Sequence, residues 1–372
     1  MRIRAIVWLS LPLTACYVGV PEGSGDATSL DDDVGETLGE GSGESSSSSS
    51  SGESGPGEDE SSSESGPGED ESSSESGPGE STEDESTDSS DSEEEGSTSE
   101  DTGPQPMTVC ERWNADRADM SEGSWSGSLN GCNAGDMDAS WRERSLTLIN
   151  LYRFLAELPP VTTSAERDAM AQSCALMMDA NGALSHNPPM GWTCYSADGA
   201  QGAGSSNIAG TAAVAAVDLY MVDPGNETTI GHRRWILSNS LGPTGIGSTD
   251  GYSCMWTLGG NGNAGKAWTA FPTPGEFPFE AMNPLWWGGG LDETGWTVQS
   301  DSIALNGAQV SVSVGGQDYP VAVTNLAGGY GSTSAIKFTP QGWSAEAGTT
   351  YHVEVTGIRE PIVYDVEVVD CG

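Results

Sequence analysis

Histidine, basic residues and long apolar runs are what this 372-residue chain has least of, and each scarcity excludes something. Lys and Arg together number 13 against 56 Asp and Glu, for a formal net charge of −43. A protein that reads duplex nucleic acid needs a basic face for the phosphates, so nucleic acid is excluded as a partner. The apolar stretch near the start, Ala5 to Leu13, is too short to span a bilayer. No two cysteines stand in Cys-x-x-Cys spacing, which removes a zinc–thiolate site. Ser206 lacks the Gly-x-Ser-x-Gly surroundings of a hydrolase nucleophile and reads as a helix N-cap or turn residue.

The charge that is present is unevenly placed. Residues 17–101 hold 28 of the acidic residues and no Lys or Arg. Within them an 11-residue unit repeats three times, Ser50 to Glu60, Ser61 to Glu71 and Ser72 to Thr82, each containing Glu-Ser-Gly-Pro-Gly-Glu. With few aromatic or branched residues, such a segment cannot offset the entropy of ordering its backbone, and like charges extend it. The repeat also lacks the apolar positions a calcium-binding solenoid would stack. Residues 16–106 therefore read as a disordered acidic tether.

Ahead of it, Arg2, Arg4 and the apolar stretch form a signal peptide over residues 1–15. Leu13-Thr14-Ala15-Cys16 resembles a bacterial lipobox, which makes Cys16 the expected lipidation site and the membrane a partner through it. The cysteine count agrees. Seven is odd, and setting Cys16 aside leaves Cys110, Cys132, Cys174, Cys194, Cys254 and Cys371 to pair in an oxidising compartment. Fifteen pairings are open; the expected set is Cys110–Cys132, Cys174–Cys194 and Cys254–Cys371. The expected location is extracytoplasmic, lipid-anchored to the cell envelope and facing outward.

The folded part begins near Met107. Helical spacing of Leu148, Ile149, Tyr152 and Leu155 predicts a helix over 140–158, ended by Pro159-Pro160. Thr163-x-x-Glu166 predicts a capped second helix to about Ala180, with Met170, Cys174 and Met177 inward and Asn181-Gly182 as its stop. A third helix is expected over 208–221 and a short one within 228–237. Short strands are expected over 244–248, 253–258 and 267–271. Past a connector marked by Pro272, Pro274, Pro278 and Pro284, with Trp286-Trp287 beside it, six alternating or apolar runs are expected to form a small all-β sandwich: 302–305, 309–314, 319–323, 335–339, 351–356 and 363–369.

Two of the three histidines sit in dense company. His186 follows the second helix in Leu184-Ser185-His186-Asn187-Pro188, and His232 lies in Gly231-His232-Arg233-Arg234-Trp235-Ile236-Leu237. Ser205-Ser206-Asn207-Ile208-Ala209 stands between them. The bland alternative makes each histidine a turn-ordering residue and Arg233 and Arg234 surface charges. His352 falls on an alternating strand and reads as exposed.

In order and wording, these motifs resemble the CAP superfamily (cysteine-rich secretory, antigen 5 and pathogenesis-related 1), in its bacterial branch. Asn150-x-x-Arg153, Ser185-His186, Asn207-Ile208-Ala209, the Gly231 to Leu237 run and Gly245-Ile246-Gly247 carry the resemblance. It implies an α+β fold, an α-β-α sandwich over 107–270 followed by the β-rich extension over 271–372. It also implies a cleft holding two histidines and two acidic residues that binds a divalent metal in some members. His186 and His232 match the histidines and are the candidate metal ligands. Ser206 replaces one acid, and Glu227 or Asp223 stands near the other. Two imidazoles and a hydroxyl make at most a weak zinc site. The expected cleft residues are His186, Ser206, Asn207, Glu227 and His232. Two functions stay open. One is a binding module for a small apolar or glycan-like ligand, helped by Trp192, Trp235 and Trp256. The other is a metal-assisted hydrolase with Glu227 as general base.

Overall fold

The computed structural model describes residues 107–285 and 289–372. The signal peptide, Cys16, the acidic tether and Trp286-Trp287 lie outside the described residues. What is described is α+β, with a C-terminal region built almost wholly of strands.

The lead-in, residues 107–138, has no strong periodicity in sequence and acts as a brace. Its helix α1 (Val109–Asp116) opens on a capping box between Thr108 and Glu111. Just beyond it, Arg117 makes a bidentate bridge to Asp218, whose Oδ1 also accepts from the Tyr152 hydroxyl at 2.6 Å. Helix α2 (Ala139–Leu155) starts on Asp138, which accepts from the Trp141 N–H at 2.8 Å. Its face of Leu148, Ile149, Tyr152 and Leu155 is buried as expected. Helix α3 (Ala165–Asn181) begins at Ser164 without a side-chain cap, so the Thr163–Glu166 box is not formed. It stops on Gly182 in the left-handed conformation, φ 58°.

The sequence reading fails in the next stretch. The glycine-rich stretch ahead of Ser205, for which no element is expected from sequence, forms α4 (Ala197–Gly204), started by Ser196 accepting from the Gly199 N–H. The helix expected over 208–221 splits into strand β1 (Ser206–Ala209) and helix α5 (Ala213–Val222). Four residues give periodicity too little to work on, and what makes β1 a strand is its antiparallel partner. The N-cap of α5 is Ala212, which offers no acceptor; Glu122 from the lead-in supplies it, accepting from Val214 and Ala215 at 3.0 and 2.8 Å. Helix α6 (Gly231–Ile236) follows, then strands β2 (Gly245–Ser248) and β3 (Ser253–Trp256).

The small sheet runs β1-β3-β2, all antiparallel. Side chains alternate across it. Ile208 and Cys254 join a core with α3 and α4, while Ala209, Ile246 and Met255 join a core with α2 and α5. This is the α-β-α arrangement.

The rest forms a two-sheet sandwich. Strand β4 (Thr269–Phe271), expected with the first region, pairs instead with β6 in the extension. Next come β5 (Gly275–Pro278), a short helix α7 (Leu291–Thr294) and β6 (Trp296–Ser300). Then follow β7 (Gln309–Val314), β8 (Gln317–Tyr319), β9 (Val321–Leu326), β10 (Ser334–Pro340), β11 (Thr349–Thr356) and β12 (Ile362–Val369). The sheets are ordered β4-β6-β10-β9 and β5-β12-β11-β7-β8. Residues 302–305 are not a strand, because the Ser300 hydroxyl accepts from the Ser302 and Ile303 N–H groups and turns the chain. One continuous core joins the first region to the sandwich, passing edge-to-face from Trp113 to Tyr152, Phe271 and Phe277 at centroid spacings of 5.1–6.2 Å.

The six described cysteines all pair, though not as expected. The bonds are Cys110–Cys371, Cys132–Cys194 and Cys174–Cys254. Two of the expected pairs joined sequence neighbours, but helix-on-sheet packing decides the partner of Cys174: α3 stacks on the sheet face that carries Cys254. Cys371 meets α1, where Asn114 donates to its carbonyl at 2.7 Å. Peptide mapping of the unreduced protein should recover these three bonds. Replacing Cys174 and Cys254 with Ala should cost about 2–5 kcal/mol of unfolding free energy, read from denaturant titration.

Candidate functional site

His186 and His232 line one cleft of about 730 Å³, together with Leu184, Ile208, Leu219, Tyr220, Asp223, Asn226, Trp235, Tyr252 and Tyr330. Each histidine is positioned by a different device. The loop released by Gly182 carries His186 back against α4, where its Nδ1 donates to the Ala203 carbonyl at 2.9 Å. That bond fixes the proton on Nδ1 and leaves Nε2 as the free ring nitrogen. Burial, with the nearby His232 adding to it, lowers the His186 pKa below the ordinary value; the Ala203 bond works against the shift.

His232 is held by a carboxylate. Asp223 ends α5 in the left-handed conformation, φ 58°, and its side chain is wholly buried. One oxygen accepts from His232 Nδ1 at 2.8 Å and from Asn226 Nδ2 at 2.7 Å, and the other accepts from the His232 backbone N–H at 3.0 Å. The Asp-Pro-Gly-Asn turn is therefore the orienting group of the site, and its sequence signals only a turn. Behind it, Asn207 donates to the His232 carbonyl at 3.1 Å, and Tyr220 donates to the Asn207 carbonyl at 3.1 Å.

Other expected residues lie elsewhere. Of the two carboxylates considered for the second acid, Glu227 is exposed, accepts from the Gly225 N–H and does not line the cleft, whereas Asp223 lines it. Ser206 is buried in β1, its hydroxyl without a hydrogen-bond partner and away from the cleft lining. Of the three tryptophans, Trp235 lines the cleft, Trp256 is buried against the sheet with its indole N–H on the Leu258 carbonyl, and Trp192 packs on the α3–α4 core. Tyr220, Tyr252 and Tyr330 had no signal of periodicity or spacing to mark them.

The arginines of the motif are the largest departure. Neither is a surface charge: both have 0% exposure. Arg233 donates to the carbonyls of Met221, Val222 and Gly295 and to the hydroxyls of Thr294 and Thr297, and lies over the Phe271 ring. Arg234 donates to the carbonyls of Thr229, Ala327 and Ser332 and to the Ser332 hydroxyl. Burial pulls both pKa values down to about 10, which leaves the groups cationic at neutral pH. Arg153, from the Asn150-x-x-Arg153 pair, is buried in the same way on the carbonyls of Pro159, Ile236 and Ser238.

Compared with known families, residues 146–257 match the family model described as CAP: Cysteine-rich secretory protein family. That segment is similar to a CAP domain. Neither a curated protein nor a solved structure matches the chain. The CAP segment holds both cleft histidines, Asp223 and the buried arginines, while the strands after β3 lie outside it.

The donor set does not fit a zinc ion. Two imidazole nitrogens are free, Asp223 is fully engaged and buried, and no cluster of three His, Cys, Asp or Glu suited to a metal exists among the described residues. Zinc takes four ligands, at least three of them from protein. What the site offers is two ring nitrogens able to accept a hydrogen bond, set among aromatic and aliphatic side chains.

The lowered pKa of His186 has a pH signature. Above about 6.5 the imidazole is neutral folded and unfolded. Below that value the unfolded chain takes up a proton that the folded protein resists, so stability is lost as pH falls through the folded pKa. His352 is exposed and shifts the opposite way, raised by hydrogen bonds to Asp365 and Glu354. In a His352→Gln background, the melting temperature should fall as pH drops below about 6.5, and His186→Gln should flatten that part of the curve.

Proposed function

We propose that the CAP domain is a binding module that holds a small neutral ligand, glycan-like or apolar, in the His186/His232 cleft. The carrying observation is the lining itself. Trp235, Tyr252, Leu184 and Leu219 stand beside two imidazoles, and among the described residues no Lys or Arg reaches the cleft. Arg233 and Arg234 are consumed by carbonyls, and Asp223 is consumed by His232 and Asn226. An anion finds no fixed positive charge there, and a cation finds no free carboxylate. A pyranose suits such a site: its C–H face lies on aromatic rings while its hydroxyls bond to imidazole nitrogens.

The test is isothermal titration with N-acetylated chito-oligosaccharides alongside acidic oligosaccharides of equal length. Neutral sugars should bind and acidic ones should not, and Trp235→Ala should weaken binding about tenfold, close to 1.4 kcal/mol. Equal binding of both sugar sets, or no loss in His232→Ala, removes the reading.

The same proposal sets the domain outside the cytoplasm on a lipid anchor. Three disulfides accord with an oxidising, extracellular setting, and among the described residues no helix is long and apolar enough to cross a membrane. The anchor is Cys16 and the acidic segment is the spacer that carries the cleft away from the envelope. Cys16→Ala should move the protein from the membrane fraction to the soluble one; unchanged fractionation overturns the anchor.

A further inference from the structure

Among the described residues outside 146–257, one element reaches the cleft. The turn between β9 and β10, residues 327–333, brings Tyr330 into the lining from the C-terminal sandwich. We infer that this turn is a wall of the ligand site and that Tyr330 is a specificity-determining contact, so that ligand is held between the CAP domain and the extension. This rests on the cleft being a ligand site, as proposed above.

The turn is seated from several directions: the Thr333 N–H donates to Asp301 at 3.1 Å, and the segment that presents His232 supplies further contacts. The Ala327 N–H donates to the Thr228 carbonyl at 3.0 Å. Arg234 grips both sides of the turn, through the Ala327 carbonyl at 2.6 Å and the Ser332 carbonyl and hydroxyl at 3.1 and 3.0 Å. Its guanidinium lies 5.9 Å from the centre of the Tyr330 ring. Two glycines permit the approach. A Cβ at Gly231 would stand 2.9 Å from Tyr330 Cδ1, so the ring rests where a side chain beside His232 would otherwise be. A Cβ at Gly331, whose φ is +68°, would stand 2.3 Å from the Arg234 carbonyl oxygen.

Ile230 adds an independent observation. It is a β-branched residue at φ 45°, fully buried, and it packs on Leu326 and Ala335, the ends of the two strands that carry the turn. That conformation is an outlier for isoleucine and persists only where surrounding structure enforces it. Ile230 is also the residue from which α6 starts, two positions before His232. The extension therefore supplies Tyr330 and also holds the backbone that aims the imidazole.

The experiment uses the folded protein with Tyr330→Ala, Tyr330→Phe and Gly331→Ala, and reads two things. The first needs no ligand: carbethoxylation of His232 by diethyl pyrocarbonate, followed residue by residue in the mass spectrometer. His352 on the far sandwich serves as internal reference. Tyr330→Ala and Gly331→Ala should speed modification at His232 several-fold and leave His352 unchanged, whereas Tyr330→Phe should match wild type. The second is titration with the same N-acetylated chito-oligosaccharides, where Tyr330→Ala should lose about tenfold in affinity, close to 1.4 kcal/mol, and Tyr330→Phe much less. Unchanged His232 reactivity in both Tyr330→Ala and Gly331→Ala overturns the wall, whatever the sugar does. Raised reactivity with no sugar bound even to wild type keeps the wall and removes the ligand class instead. Should Gly331→Ala fail to fold, Tyr330→Ala, which leaves the backbone bonds of the turn in place, decides alone.

Discussion

Two consecutive arginines, both buried and neither in an ion pair among the described residues, set the terms for the rest of this molecule. Taking a cation out of water costs several kcal/mol unless its donors are met, and here backbone carbonyls and hydroxyls meet all three nitrogens of Arg233 and both terminal nitrogens of Arg234, whose Nε alone is left without a partner. Those acceptors come from the end of α5, from the turn before α6, from α7 and its following glycine, and from the turn between β9 and β10. Each arginine thus finds these acceptors only when the CAP-like segment and the sandwich are packed together. Arginine suits this task better than lysine because its planar fork presents five donors in fixed directions.

The cleft inherits its geometry from that docking. His232 sits one residue before the arginine pair, so the bonds that place the guanidiniums also place the imidazole backbone. Asp223 then fixes the ring, with both oxygens engaged and its side chain shut away from solvent. His186 is tied to a different element, through a carbonyl at the end of α4. Two histidines held in one cleft by unrelated means, each with its Nδ1 occupied, present a pair of acceptors rather than a coordination sphere.

Much of the helical framework could be read from residues alone because it is written locally. The face of Leu148, Ile149, Tyr152 and Leu155, the Pro159-Pro160 stop and the Gly182 cap each need only their neighbours in sequence. Strand β1 and helix α4 do not. Four residues and a glycine-rich octet carry too little periodicity, and one becomes a strand only because β3 lies beside it. The same limit separates the right answers at the site from the wrong ones. His186 and His232 stand out by rarity and context. The choice of Asp223 over Glu227 turns on which carboxylate faces inward after a left-handed residue, and Arg233-Arg234 looks like any exposed basic pair until the sandwich that caps it is in place. Tyr330, nearly a hundred residues downstream among glycines, has no local mark at all.

The bond from Cys110 to Cys371 spans 261 positions and joins the first helix to the last residues of the fold. Everything between them is a closed covalent ring, crossed inside by two further bonds. A single cut by a protease in any loop of that ring opens it without setting a fragment free. A nicked molecule would keep its mass on an unreduced gel and could keep its cleft, shedding pieces only when a reductant arrives.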